Sequence, residues 1–179
     1  MKTRAIVDSP EDSHSRRRFI KQILATGAIA STPTYLGSTS VAKGQQPFGV
    51  RCFDHVALPM QNTKEMVTFY RALGLHVNEG DRTCSVHFGD QKINFHRPES
   101  WQRATFTLRA PSARPPCGDL CFVWEGTAES LTGALNRAGA TIIEGPGDRL
   151  GGRNGGTVTG ISSYVRDPDG NLLEFMIYS

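Results

Sequence analysis

One order of strands and helix occurs twice in this chain, and that duplication limits the possible folds more than any single motif. In the first copy, residues 50–58 alternate as a strand, with Arg51, Phe53, His55 and Ala57 on one face and Cys52, Asp54, Val56 and Leu58 on the other. Asn62-Thr-Lys-Glu65 has the form of a capping box. Met66, Phe69, Tyr70 and Leu73 then follow at the i, i+3, i+4, i+7 spacing of an amphipathic helix, and Gly74 stands where a left-handed cap would end it. Residues 75–77, 83–88 and 91–96 read as three further strands, the last two joined by a tight turn at Gly89-Asp90.

A polar connector over 97–116, with prolines at 98, 111, 115 and 116, separates this βαβββ unit from its return. Residues 119–124 are the new first strand, and Thr127 caps a helix carrying Leu131, Leu135 and Ala138 and ended by Gly139. A short strand at 140–143 and a closing hairpin complete the unit. The registers agree: His55 maps to Asp119 after 64 residues, Gly74 to Gly139 after 65, and Asn94 to Glu174 after 80. The difference is absorbed by the glycine-rich stretch 145–159, read as a loop. Its Arg149 and Arg153 either close over a ligand or belong to a surface loop. It lacks the strand–Gly-rich–Lys-Ser/Thr–helix order of a phosphate loop.

The closing hairpin is built on Asp167-Pro-Asp-Gly-Asn171. Proline pre-sets one turn residue, glycine takes a positive φ, and the aspartates can accept from nearby backbone N–H groups. On the strand that follows, Leu172, Glu174 and Met176 share a face. A lone carboxylate among apolar neighbours is either a partly exposed face residue, a metal ligand or a catalytic base, since ionised carboxylates avoid burial unless paired.

Charge is concentrated at the start of the chain. Residues 1–42 hold six Lys/Arg against three acids, which leaves 14 of each sign in the remainder. A neutral body without a basic stripe gives no support for nucleic-acid binding. Ser15-Arg-Arg-Arg-Phe-Ile-Lys21 resembles the twin-arginine export motif, followed by a weakly apolar run at 23–30 that is too short and polar for a stable membrane anchor. The resemblance implies a signal peptide over 1–42 cleaved after Ala42, with Ala30 as the alternative, a linker at 43–49, the export machinery as a partner, and a periplasmic or extracellular destination. Four cysteines (52, 84, 117 and 121) lack zinc-site spacing. An oxidising destination permits disulfides, but buried free thiols are the preferred reading.

Paired βαβββ units with Asp54-His-Val-Ala-Leu58 in the first strand and Asp167-Pro-Asp-Gly-Asn-Leu-Leu-Glu-Phe175 in the last resemble the vicinal oxygen chelate superfamily. It includes glyoxalase I, thiol transferases, extradiol dioxygenases and bleomycin-binding proteins. Phe88-Gly-Asp-Gln-Lys-Ile-Asn-Phe-His96 and Gly118-Asp-Leu-Cys-Phe122 are similar to the glyoxalase-domain-containing group within it. The fold implied is α+β: two βαβββ modules, 50–97 and 117–178, forming one domain with a curled mixed sheet around a shared cavity. His55 and Glu174 fall on ligand positions of the family, Asp119 where many members carry a second histidine, and Asn94 where glyoxalase I carries a glutamate. His96 lies on the same face as Asn94 and can replace the missing donor.

The resemblance therefore implies a divalent ion (Fe, Mn, Ni or Zn) held by His55, His96, Asp119 and Glu174, with Glu174 also moving protons and Asn94, Tyr164 and Arg166 binding substrate. For Tyr164 core packing is the preferred alternative; Arg166 suits a carboxylate-bearing substrate. His76 and His87 match no family position and read as surface or structural residues. The expected function is a metal-dependent enzyme on a small oxygenated molecule, either a glyoxalase-type lyase or isomerase or an extradiol-type dioxygenase. Export and Asn94 both argue against a glutathione-dependent glyoxalase I. The alternative is a metal-free binding protein that sequesters a small molecule. A homodimer is also implied.

Overall fold

The structure, a computed structural model, describes residues 49–179. The expected leader, arginine pair and cleavage point therefore lie outside the described residues. Within them the first module runs β1 (His55–Pro59), α1 (Thr63–Ala72), β2 (His76–Glu79), β3 (Thr83–Phe88) and β4 (Gln91–His96). A single-turn helix, α2 (Pro98–Trp101), opens the connector. The second module runs β5 (Asp119–Val123), α3 (Ala128–Ala138), β6 (Glu144–Leu150), β7 (Thr159–Arg166) and β8 (Leu172–Ile177).

The strand orders are β1-β4-β3-β2 and β5-β8-β7-β6, with the first and last strand of each module parallel and the other pairs antiparallel. The duplication read from sequence is thus a duplication of topology. The curled sheet takes the form of two separate four-stranded sheets.

Strand parity decides which faces are buried. Cys84, Val86, Ile93 and Phe95 turn one face of the first sheet inward, and Val165, Leu173 and Phe175 do so in the second. These meet Met66, Phe69 and Tyr70 of α1 and Leu131, Ala134 and Leu135 of α3 in one core, where α1 and α3 also touch. Each fully buried valine, leucine, isoleucine, phenylalanine or methionine among them contributes roughly 1.5–3 kcal/mol by leaving water. The opposite faces, carrying His55, Asn94, His96, Asp119 and Glu174, remain outside this core.

Three local expectations need correction. β1 starts at His55 rather than at residue 50, because β4, its only ladder partner among the described residues, pairs with it from Lys92 opposite His55. Residues 140–143 are not a strand; β6 follows at Glu144–Leu150, inside the stretch read as loop. Pairing with β7, broken by a register shift between Glu144 and Gly147, holds this segment extended despite its glycines. Gly145 lies at φ +95°, and a Cβ there would meet the Ser162 carbonyl oxygen at 2.4 Å, so only glycine fits.

The third correction is at the start of α1, where Asn62 makes no side-chain cap. The cap comes from the other module: the Asp169 carboxylate accepts from the backbone N–H of Gln61 and Asn62 at 2.7 and 2.8 Å. The rest of that turn is equally committed. Asp167 accepts from Tyr70 Oη, from the backbone N–H of Asp169 and Asn171, and from Asn171 Nδ2, at 2.8–3.0 Å. Asn171 Oδ1 accepts from the backbone N–H of Cys117 and Gly118 at 3.0 and 2.8 Å. Asp-Pro-Asp-Gly-Asn is therefore a staple joining the last hairpin to α1 and to the entry of β5.

Candidate functional site

Ladder registers sort the outer-face residues into rows. Across the second sheet, Glu144, Tyr164, Glu174 and Cys121 are successive partners on β6, β7, β8 and β5. Across the first sheet the corresponding row is Asn78, Ser85, Asn94 and Ala57. One step toward the start of β1 lies His76, His87, Lys92 and His55; its counterpart in the second sheet is Arg166, Leu172 and Asp119.

Glu174 is the chemically exposed point of these rows. Its Oε1 is buried and makes no hydrogen bond with the protein, an unfavourable state for a carboxylate unless something else meets it. Although Cys121 is an exposed residue by surface area, the desolvation of its thiol and then the neighbouring Glu174 push it up to about 12. Burial and contact with Glu174 also raise Tyr164 above the ordinary tyrosine value, against the opposing effect of Arg149. Both groups are therefore protonated donors at neutral pH. Tyr164 thus lies beside Glu174 on the outer face, not in the core. Arg149 pairs with Glu144 and places its guanidinium 5.6 Å from the centre of the Tyr164 ring.

His55 is about half exposed, and its Nδ1–H donates to Asp54 Oδ1 at 2.7 Å. The hydrogen bond to His55 holds Asp54 below the usual carboxylate value. This arrangement fixes the ring and leaves Nε2 free, as a metal-ligating histidine requires. His55, Lys92, Asp119 and Cys121 line one cleft of about 360 Å³ where the two modules meet.

The other expected site residues fall elsewhere. His96 is four residues beyond Lys92, the partner of His55, and so stands about 13 Å from His55 along the ladder at about 3.3 Å per residue. It cannot share one ion with His55 within a module, and it faces a different cleft. Asn94 Oδ1 accepts from Ser85 Oγ at 2.7 Å, which leaves its amide N–H as the available group. Arg166 donates to the Gly170 carbonyl at 2.8 Å and braces its own hairpin. Arg153 stacks on Tyr178 at 4.0 Å. His76 and His87 form a cross-strand pair with ring centres 5.7 Å apart.

Among the described residues, no three His, Cys, Asp or Glu side chains gather as a metal-ligand group. The donors form two half-sites instead, one around His55 and one around Glu174. All four cysteines are free; Cys84 is buried while Cys52, Cys117 and Cys121 are exposed, so burial holds only for the first. Sequence reasoning passed over Asp54 and Cys121. Each had a readable signal: Asp54 directly precedes His55, and Cys121 shares the face of Asp119.

Comparison with known proteins agrees with this architecture. The family model described as the Glyoxalase/Bleomycin resistance protein/Dioxygenase superfamily matches residues 53–175. The chain is 33% identical over 148 residues to the glyoxalase domain-containing protein RDO1 of Mycosarcoma maydis, covering 82% of this chain and 80% of that one. It is 34% identical over 129 residues to the virulence protein STM3117 of Salmonella typhimurium, covering 70% and 83%. The crystal structure of that protein superposes with a TM-score of 0.63 at 30% identity, over 74% of this chain and all (100%) of that one. An integron cassette protein from V. cholerae gives a TM-score of 0.64 at 31% identity, over 74% and 98%.

Proposed function

Because the chain belongs to the glyoxalase/bleomycin resistance protein/dioxygenase superfamily, we propose that it is a metal-dependent enzyme acting on a small oxygenated molecule. The reaction is a lyase or isomerase step of glyoxalase type, or an extradiol-type dioxygenation. The observation that carries this reading is the unpartnered, buried Oε1 of Glu174 on the outer face of β8. A ligand carboxylate has this character, and His55, oriented by Asp54, is the matching imidazole on the first module.

Glu174 and His55 would hold a divalent ion, with Asp119 as the adjoining carboxylate. Iron, manganese, nickel and zinc all suit such mixed nitrogen and oxygen donors. Bound there, the ion supplies Lewis acidity toward vicinal substrate oxygens. The protein's own groups do the rest. Tyr164 and Cys121 offer protons beside the carboxylate, Arg149 supplies positive charge for a developing oxyanion, and Glu174 can take or return a proton.

Since no three donors gather within one protomer among the described residues, the proposal includes a homodimer in which one protomer's first module faces its partner's second. It also includes twin-arginine export to the periplasm or the cell exterior, on the strength of the motif at 15–21. Replacing Arg16 and Arg17 by Lys should retain the protein in the cytoplasm on fractionation.

Elemental analysis is the primary test. Near-stoichiometric transition metal is expected in the wild type and in His76→Ala, and loss of it in Glu174→Ala and His55→Ala. Should wild-type protein stay metal-free even after metal addition, the enzyme reading falls. The alternative, a metal-free binding protein of the bleomycin-resistance type, would then take its place; it is favoured by the separation of the donors within one chain.

A further inference from the structure

A separate cleft of about 330 Å³ opens at the other end of the β1–β4 ladder from His55. Ala57, Pro59 and His96 come from the sheet, Trp101 from α2, and Arg109 and the exposed Leu108 from the connector. Its inner walls are held by packing. Pro59 is fully buried, and Trp101 is 5% exposed with its indole N–H donating to the Met60 carbonyl at 2.8 Å. Phe106 holds the His96 ring edge-on, with ring centres 4.9 Å apart, and burial keeps His96 below its ordinary pKa. The imidazole is therefore neutral near pH 7 and adds no second charge.

Arg109 is the anomaly in this lining. Its Nη1 donates to the carbonyl oxygens of Ala110, Pro111 and Ala113 at 3.3, 2.9 and 3.4 Å, which fixes its direction. Neutral carbonyls do not cancel a guanidinium's charge. Among the described residues no carboxylate pairs with Arg109, and its Nε–H is buried without an acceptor. A directed cation with an unused donor beside apolar walls is a ready partner for an anion. One charge matches a monoanion, and guanidinium geometry favours a carboxylate. The volume lies at the lower end of small-molecule pockets, which begin at about 300 Å³.

We infer that this cleft binds the carboxylate of a small organic acid, with Arg109 holding the carboxylate and Ala57, Pro59, Leu108 and Trp101 enclosing an apolar body. Nothing in this assignment requires the metal reading of His55 and Glu174.

The test is titration of the full-length chain with benzoate and with its neutral isostere benzamide, followed by calorimetry and by the emission of Trp101 in a Trp124→Phe background. Saturable benzoate binding is expected, with benzamide weaker by about tenfold or more, the usual range for losing a charge-assisted hydrogen bond. Arg109→Gln should abolish that preference. Ala57→Phe, at an exposed position of β1, should fill the cleft and remove binding while leaving the fold intact. His55→Ala should leave binding unchanged. Equal binding of benzoate and benzamide, no saturable binding, or persistence in Ala57→Phe would each overturn the assignment. Loss in His55→Ala would do so too, by placing benzoate at the metal half-site. A metal-free protein that still selects benzoate would sink only the enzyme reading.

Discussion

Two rows of side chains occupy the same place in the two modules, and they differ in what they leave undone. In the first module Asn78, Ser85, Asn94 and Ala57 form a neutral row in which Ser85 satisfies the Asn94 carbonyl oxygen. In the second, Glu144, Tyr164, Glu174 and Cys121 carry two carboxylates, and one oxygen of Glu174 has no partner. The duplicated backbone is symmetric; the chemistry placed on it is not. The hydrogen bond at Asn94 is closed within the sheet, while one carboxylate oxygen of Glu174 is left open.

The largest expected contrast is in metal content. Glu174→Ala should lose bound metal, whereas Asn94→Ala, at the matching position, should keep it. Equal metal content in the two variants would erase the functional difference between the rows. Glu174→Gln should lose metal as well, since a neutral amide is a far weaker ligand than a carboxylate.

The next contrast is between the two hairpin turns. Asp167→Ala removes an acceptor of four hydrogen bonds and should cost about 3 kcal/mol or more. Asp90→Ala, in the equivalent turn of the first module, should change stability by no more than about 0.5 kcal/mol. Comparable losses in urea denaturation would show that the staple is no more than a turn.

Helix caps give a smaller effect. Thr127 Oγ1 accepts from the Ser130 N–H at 3.2 Å, so Thr127→Ala should cost α3 about 1 kcal/mol. For α1 a similar loss should follow Asp169→Ala rather than Asn62→Ala, since Asp169 holds the N–H groups there. A larger loss in the Asn62 variant would return the cap to its own module.

The smallest effect is the pH dependence of the staple. Burial raises Asp167 above 3.8 despite its hydrogen bonds. As pH falls through the raised value, the native chain takes up a proton before the unfolded chain does, so this group adds stability on acidification. Asp167→Asn should lack that gain when urea midpoints at pH 7 and pH 4 are compared with those of the wild type. An identical pH response in both proteins would remove the assignment.

How much of this was legible follows from which forces act locally. Strand parity and helix spacing exposed the repeat and put Glu174, Asn94, Tyr164 and Arg166 on shared faces, because those periodicities are properties of the backbone. They could not say which side chain would be saturated. Arg166 turns to Gly170 and Asn94 to Ser85 through contacts of geometry, not of pattern. β6 escaped notice because Gly145-Pro-Gly147 has no strand propensity and is held extended by β7 alone. The place of His96 needed the parallel register of β1 and β4, which fixes its distance from His55. The family signature identified the fold; which outer-face side chains stay unpartnered depends on contacts that no linear motif encodes.

The Asp167–Asn171 staple also bears on the order in which the molecule can be finished. Tyr70 and Asp167 are 97 residues apart, and Asn62 and Asp169 are 107 apart. As the chain emerges from a ribosome, α1 is made early but waits for nearly the last turn to supply its capping carboxylate. The first module therefore lacks that carboxylate through most of synthesis, and these contacts between the modules can close only late. A chain cut short before residue 167 would lose more than its last hairpin: its first helix would be left open at the end where the missing turn should dock.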